Sequence, residues 1–344
     1  MLKSQDKCYA YKKEMKTHCP KHKETNIMII SASRRTDIPA YYADWFINRI
    51  KDGKIQVKNP MNTHQISEIN LSPDVVDCIV FWTKNPLGII NLLDELKRYN
   101  YYFQFTLNGY GRDIELNLPD RDTLIKLFKY LSGKIGKNKV IWRYDPILIN
   151  SKYTKEYHIQ NFNGIANSLK GYTERAVISF VDMYAKTKRN MKNLSIEELS
   201  ENDMHEIARE LSIIAKDNNM DIYSCAEAID LSSDGIEHGC CIDKSLIGEI
   251  IGMNLKCSKD KNQREICGCI ESIDIGAYNT CKNGCRYCYA NYDDYAVGEN
   301  IKLYNPDSLL LCSEMKPADK IYTKKMKSLK DDTGELIGQL SIGI

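Results

Sequence analysis

Short continuous runs of apolar, β-branched and aromatic residues recur along the first two thirds of the chain, separated by longer stretches with helical spacing. The runs are Asn26–Ser33, Val75–Thr83, Tyr101–Leu107, Lys139–Tyr144, Arg175–Val181 and Met220–Cys225. Each is apolar at consecutive positions, as strands are when both faces of a parallel sheet are covered. Between them, Tyr41–Lys51 carries Trp45, Phe46, Ile47 and Ile50 at helical spacing, and Leu87–Tyr99 carries Ile89, Leu92, Leu93 and Leu96. Arg121–Ile135 repeats the pattern with Leu124, Leu127, Phe128 and Leu131. Glu156–Leu169 is a weaker helical stretch, and Ser195–Lys216 a long one opening on Ser195, Glu197 and Glu198. Parallel strands need crossovers, so this alternation predicts an α/β protein built as a partial or complete (β/α) TIM-like barrel.

Beyond Cys225 the alternation loosens. Glu227–Arg264 holds one helical stretch, Lys244–Met253, among Gly, Ser, Asp and Cys. A seventh strand candidate, Cys269–Tyr278, runs directly into a cysteine-rich loop, and the polar, Lys-rich tail from Asp293 is expected to be loop draped over the surface. The expected division is an N-terminal extension (1–25), a barrel core (26–225), a Cys-rich segment with the last strand (226–292) and a tail (293–344).

Composition narrows the classes. The 344 residues are 27% charged and 43% hydrophobic, and 48 Lys plus Arg against 46 Asp plus Glu leave a net charge of +2. Such a balance excludes a polybasic coat and weakens any duplex-binding role that rests on charge alone. No apolar run reaches bilayer length, and the Lys-studded Met1–Lys23 lacks the apolar core of a signal peptide, so a cytoplasmic protein without a membrane partner is expected.

The 13 cysteines change the picture, because nine of them fall between Cys225 and Cys288. In a reducing compartment such a cluster points to metal or redox chemistry. The sharpest run is Cys281-Lys-Asn-Gly-Cys285-Arg-Tyr-Cys288. Three soft thiolates on a compact loop suit an iron–sulfur cluster with one iron left open, or a zinc knuckle completed by a distant fourth ligand. A second set, Cys225, Cys241, Cys267 and Cys269, supplies four ligands for an auxiliary [4Fe–4S] cluster, or for zinc, with Cys312 as a substitute for any of them. Cys8 and Cys19, near His18 and His22, read as part of a surface extension.

With Tyr287 just before the last cysteine, the C-x3-C-x2-C spacing resembles the signature loop of the radical SAM superfamily, and Gly284–Ala290 most resembles its spore photoproduct lyase branch. The resemblance implies a (β/α) partial barrel, a [4Fe–4S] cluster on Cys281, Cys285 and Cys288, and S-adenosylmethionine (SAM) on the open iron. It also implies an electron donor of flavodoxin or ferredoxin type, and places Tyr287 beside adenine. In the superfamily this loop follows the first barrel strand, whereas here it follows the last. A circularly permuted order reconciles the two if strand 269–278 lies beside Asn26–Ser33. Ser31–Pro39 would then stand where the superfamily has a Gly-Gly-Glu turn, without the glycines. From Ile27 onward the chain also resembles an uncharacterised bacterial family classed only as a domain of unknown function. The likeness rests on Ser33–Pro39, Phe81–Pro86, Trp142–Pro146 and Gln263–Tyr289.

Polar residues follow the strand candidates, at the mouth where barrel active sites form. Lys84 and Arg143, with Arg34, are expected to bind the SAM carboxylate or an anionic substrate, and Asn108 the ribose. Arg35, Asp37, Asp145 and Glu227 are the candidate catalytic groups. Trp45 and Trp142 read as core, Trp82 and Tyr144 as approaching the mouth. His64, His158 and His205 read as surface or capping histidines, and His238, beside Gly239 and Cys240, as the one candidate for the metal region. The expected function is a radical SAM enzyme acting on a nucleic acid, a peptide or a small anionic metabolite. The competing readings are a zinc-stabilised binding protein with structural cysteines and an electron carrier.

Overall fold

The computed structural model describes residues 28–255 and 257–324. Cys8, Cys19, His18 and His22 lie outside the described residues. Strand β1 (Ile29–Ala32) leads through a single-turn helix, α1 (Ile38–Tyr41), into α2 (Ala43–Asp52), a hairpin of β2 (Lys54–Asn59) and β3 (Asn62–Asn70), then β4 (Cys78–Thr83) and β5 (Tyr101–Thr106). There follow α3 (Arg121–Ile135), β6 (Val140–Ile147), α4 (Lys155–Leu169), β7 (Arg175–Phe180), α5 (Ala185–Asn190), α6 (Glu201–Asp217) and β8 (Asp221–Cys225). The chain continues through β9 (Glu237–Gly239), α7 (Lys244–Ile251), β10 (Ile273–Asp274), α8 (Asp294–Ile301) and β11 (Lys320–Thr323).

Eight strands form one sheet in the order β10-β1-β4-β5-β6-β7-β8-β9, and every neighbouring pair is parallel. Strand β10 pairs with β1 through Ile30 with Ile273 and Ser31 with Asp274, so the last strand of the sheet in sequence stands first in space. The sheet is open. Its edges, β9 and β10, are strands of three and two residues that do not pair with each other, and the complete barrel among the expectations gives way to an open parallel sheet.

Alternating side chains go to opposite faces of a strand, and here both faces are covered. Ile30, Ile79, Phe81, Phe103, Phe105, Trp142, Tyr144 and Ile178 pack with the apolar sides of α2, α3, α4 and α6. Their neighbours Ile29, Val80, Tyr102, Ile141 and Val177 pack on the other face against Ile242, Leu246, Ile247 and Ile270. The Cys-rich segment therefore shares the sheet's core. On this second face each strand changes character along its length: Ile29 gives way to Ser31, Val80 to Trp82, Tyr102 to Gln104, Ile141 to Arg143 and Val177 to Ser179. Its N-terminal half is a core and its C-terminal half a polar wall.

Several elements depart from expectation. Leu87–Tyr99 forms two 3₁₀ turns, Pro86–Gly88 and Leu93–Leu96, instead of a helix. Ile90, Leu93 and Leu96 are still buried, at the spacing of three that the tighter winding aligns. Gly88 is pressed onto α1, where a Cβ would lie 2.6 Å from Pro39 O. Helix α6 begins after Ser200, not at Ser195: Ser200 and Asp203 form a reciprocal capping box, while Ser195 sits in a left-handed turn. Strand 269–278 contracts to β10. Residues 54–70, unassigned in the sequence, form the β2–β3 hairpin, and β11 of the tail pairs with β3. Tyr144 and His158 are buried on the helix side, Tyr144 away from the mouth and His158 away from the surface.

Candidate metal centre

The polar halves of the strands open onto one cavity of about 1050 Å³. Its wall includes Arg34, Arg35, Asp37, Lys84, Arg143, Asp145 and Tyr287, together with seven cysteines: Cys225, Cys241, Cys267, Cys269, Cys281, Cys285 and Cys288. Asn108 and Glu227 do not line it. Asn108 is buried, with its Nδ2 donating to Asp145 O (2.9 Å) and Tyr287 Oη (3.1 Å) and its Oδ1 accepting from Asp145 N (2.7 Å), so no edge of its amide is left for a ribose. Glu227 turns to accept from Phe180 N at 2.9 Å, and burial lifts its carboxyl to about 7.

The loop carrying Cys281, Cys285 and Cys288 is held along its length. Tyr42 Oη donates to Thr280 O (2.6 Å), Tyr41 Oη to Asn283 Oδ1 (2.7 Å) and Asn291 Nδ2 to Cys281 O (2.8 Å). Glu115 and Cys285 form an antiparallel bridge, and Arg286 N donates to Ile114 O. Gly284 takes a φ of 67° against Asn117, where a Cβ would lie 2.9 Å from the amide nitrogen. Only glycine adopts that conformation freely at such an approach. The three thiols are free of disulfides. Burial pushes Cys281 up to about 12 and raises Cys285 and Cys288 as well, although Lys84 works in the other direction on the latter two. Buried soft donors of this kind ionise when a metal supplies the missing positive charge, so the donor set fits a thiolate-ligated metal. Among the described residues, no three His, Cys, Asp or Glu side chains surround a point suited to a single ion.

Two carboxylates that the sequence did not single out organise this wall. Glu115, buried, accepts from Lys84 Nζ (2.9 Å), from Asn108 and from Tyr287 Oη, and the Lys84 ammonium lies 5.3 Å from the Tyr287 ring centre. Burial disfavours the Lys84 charge, but Glu115 and Cys285 outweigh it and its pKa stands above the ordinary value. Asp274, at the end of β10, accepts from Ser33 Oγ (2.7 Å), Arg34 N (2.8 Å), Ser31 Oγ (3.0 Å) and Gly276 N (3.0 Å), clamping the end of β1 to the strand that launches the cysteine loop. Asp274 is one of two acids, with Glu271, in the strand candidate 269–278, and only its place between Ile273 and Ile275 sets it apart. Glu115 carried no local signal, because beyond nearby Asn108 its partners Lys84 and Tyr287 come from distant segments.

The candidate catalytic groups are largely engaged. Asp37 caps α1 through Ala40 N (3.1 Å) and also accepts from Thr83 Oγ1 (2.8 Å), Lys84 N (2.8 Å) and Asn283 Nδ2 (3.0 Å). Burial raises its pKa against those bonds. Asp145 is paired with Arg143 and accepts from Ser179. Burial opposes its ionisation, but Arg143 prevails and the pKa is lowered. Arg35 lies over the Tyr278 ring, 3.8 Å from Asp274.

The second thiol set is brought together too. Cys225 Sγ lies 2.8 Å from Cys241 Sγ, and Cys269 is hydrogen-bonded to both Cys241 and Cys267. The bond from Cys241 holds Cys225 down at about 7 despite burial, with Arg143 assisting. Cys312 is not part of it: it packs beside Tyr42 on the helix side and cannot substitute for any of the four. His238 Nδ1 faces Ser224 Oγ at 3.2 Å and does not line the cavity. No helix among the described residues is long and apolar enough to cross a membrane.

No protein of curated description matches this sequence. The model of a family described as a domain of unknown function, DUF1848, matches residues 29–290, which contain the sheet, the cavity wall and all seven of its cysteines, and the chain belongs to that family.

Proposed function

We propose that the protein is a radical SAM enzyme of permuted strand order. The observation that carries the reading is the parallel pairing of β10 with β1, from which the loop of Cys281, Cys285 and Cys288 springs with all three thiols on the cavity at the C-terminal ends of the strands. That is where parallel α/β sheets bind ligands. In this reading the three thiolates hold a [4Fe–4S] cluster and the cavity receives SAM. When reduced, such a cluster would supply the one electron that breaks the S–C5′ bond of SAM, leaving methionine and a 5′-deoxyadenosyl radical. Tyr287, oriented by Glu115 and Asn108, forms the adenine side.

Lys84 and Arg143 enter the site as halves of ion pairs, with Glu115 and Asp145, and Arg264 is paired with Asp182 at 2.7 Å. Arg35 likewise stands 3.8 Å from Asp274, which leaves Arg34 and Lys186 as the cations of the wall and favours an anionic substrate, drawn from nucleic acids or small anionic metabolites ahead of neutral peptides. The electron would come from a donor of flavodoxin or ferredoxin type.

The test is the formation of 5′-deoxyadenosine from SAM by anaerobically reconstituted protein with a strong reductant. The native protein is expected to form it, and the Cys285→Ala variant to lose more of the yield than the roughly 10–100-fold that changing a partner outside the ligand shell costs a metal site. Equal yields from the two proteins would overturn the reading.

A further inference from the structure

The wall opposite the Cys281 loop contains a feature that a single cluster leaves unexplained. Four thiols arrive there from separate elements: Cys225 from the end of β8, Cys241 from the turn after β9, and Cys267 and Cys269 from the loop before β10. Their contacts run in the order Cys225, Cys241, Cys269, Cys267. The backbone is built to hold this string. Tyr102 Oη and Gln104 Nε2 of β5 both donate to Cys241 O, at 2.6 and 2.9 Å, and Ile242 N donates to Cys269 Sγ at 3.4 Å. Gly268 fits between them where a Cβ would lie 2.5 Å from Cys240 Sγ.

Two guanidinium groups are directed at these sulfurs. Arg143 uses one edge for Asp145 and offers Nη1 to Cys241 Sγ at 2.8 Å. Arg34 stands beside Cys269 and Cys241, and its Nη2 is buried with no hydrogen-bond partner. Both lie over the Trp82 ring, 5.5 and 5.3 Å from its centre. Neutral thiols are weak acceptors and would leave Arg34 Nη2 without a partner and Arg143 Nη1 with little beyond a long 3.4 Å bond to Gln104 Oε1. Thiolates on an anionic metal centre accept such bonds well, and hydrogen bonds to sulfur are a recurrent feature of iron–sulfur sites. All four sulfurs also open on the cavity, which gives space for a centre of several metal atoms.

We infer that Cys225, Cys241, Cys267 and Cys269 ligate a second iron–sulfur cluster, of [4Fe–4S] type, with Arg34 and Arg143 as hydrogen-bonding, charge-balancing neighbours. This site goes beyond the function proposed above and stands or falls separately from it. The substrate cavity would then lie between two metal centres.

The experiment reconstitutes three proteins anaerobically with ferrous iron and sulfide and counts iron per folded chain, with circular dichroism verifying the fold. The native protein is expected to hold about eight irons and the Cys281→Ala/Cys285→Ala/Cys288→Ala variant about four, which acquire an EPR signal on reduction. The Cys267→Ala/Cys269→Ala variant, with the first loop intact, is expected to fall to about four as well. Arg34→Gln in the three-Ala background should leave the iron count unchanged and shift the reduction potential to more negative values, since a positive charge beside the cluster is lost. A folded three-Ala variant without iron, one that takes up a single zinc in competition, or one whose four thiols resist alkylation as disulfides would overturn the inference. So would an unchanged iron count in the Cys267→Ala/Cys269→Ala variant. If instead the three-Ala variant keeps its iron while deoxyadenosine formation is unaffected, this site stands and the function proposed for the first loop fails.

Discussion

At the scale of single residues, the structure reassigns polar groups by showing what they already hold. Asp37 has the position of a catalytic acid at a strand end, yet four donors occupy its carboxylate, and its work is to join the segments after β1 and β4 to Asn283 of the cysteine loop. His158 is another case. Its Nε2 faces Leu148 O at 2.8 Å, and since a carbonyl only accepts, Nε2 carries the proton and Nδ1 accepts from Tyr144 Oη, also at 2.8 Å. The ring is neutral and fully buried, and burial lowers its pKa to about 4. In the unfolded chain the same imidazole takes up a proton near its ordinary value, so the unfolded state binds more protons between about pH 6.5 and 4. Stability should therefore fall as pH drops through that window, by about 3 kcal/mol in all from this residue, and level off below pH 4. Urea midpoints measured across the range should show a flatter profile for His158→Gln than for the native protein. Parallel profiles would show that the ring is not held neutral.

At the scale of elements, periodicity located what was regular, and local chemistry set the ends. Helix α3 spans the residues its apolar spacing marked, with Asp120 as the cap accepting from Thr123 N at 2.9 Å. For α6 the expected start is Ser195, whereas the helix begins after Ser200. Only Ser200 is answered by an acid three residues on whose carboxylate accepts from its own backbone N–H, at 3.3 Å. Replacing Ser200 by Ala should cost about 1 kcal/mol, the usual value of an N-cap, while Ser195→Ala should stay within about 0.5 kcal/mol. Chemical denaturation of the two variants separates the starting points, and equal losses would return the helix start to Ser195. The cysteine loop follows the same logic. Its spacing is a local property, but its rigidity comes from Tyr41, Tyr42 and the 111–117 segment, none of which its own sequence identifies.

At the scale of the whole molecule, the sheet is covered on its helix side and on the N-terminal half of its other face without closing on itself, and the placement of the cysteine loop rests on one short edge strand. Strand β10 has two residues, so few ladder bonds hold it, and Asp274 supplies what the ladder does not. Its carboxylate gathers four donors from both sides of the junction, bonds that count for more than neutral ones. Asp274→Ala should destabilise the protein by about 2–3 kcal/mol by leaving part-buried donors unanswered. It should also lower the iron that the reconstituted protein retains on dilution, since β10 is followed by the Cys281 loop and preceded by Cys267 and Cys269. Loss of stability with no change in iron retention would show that β10 does not position the loop.

The sequence alone determined the alternation of strands and helices, the apolar faces and the spacing of Cys281, Cys285 and Cys288, because these depend on residues within a turn or a strand of one another. That strand 269–278 should lie beside Asn26–Ser33 came only from the resemblance of the cysteine loop, as the order that would reconcile it. The tertiary structure decided which groups share a wall: Ser31 and Asp274, 243 positions apart, meet at 3.0 Å, and Arg143 meets Cys241 across 98. Contacts of that separation depend on how the chain returns to itself and leave no period in the sequence. For that reason Glu115 was invisible, Asn108 and Asp37 looked free, and the open edge of the sheet could not be told from a closed barrel.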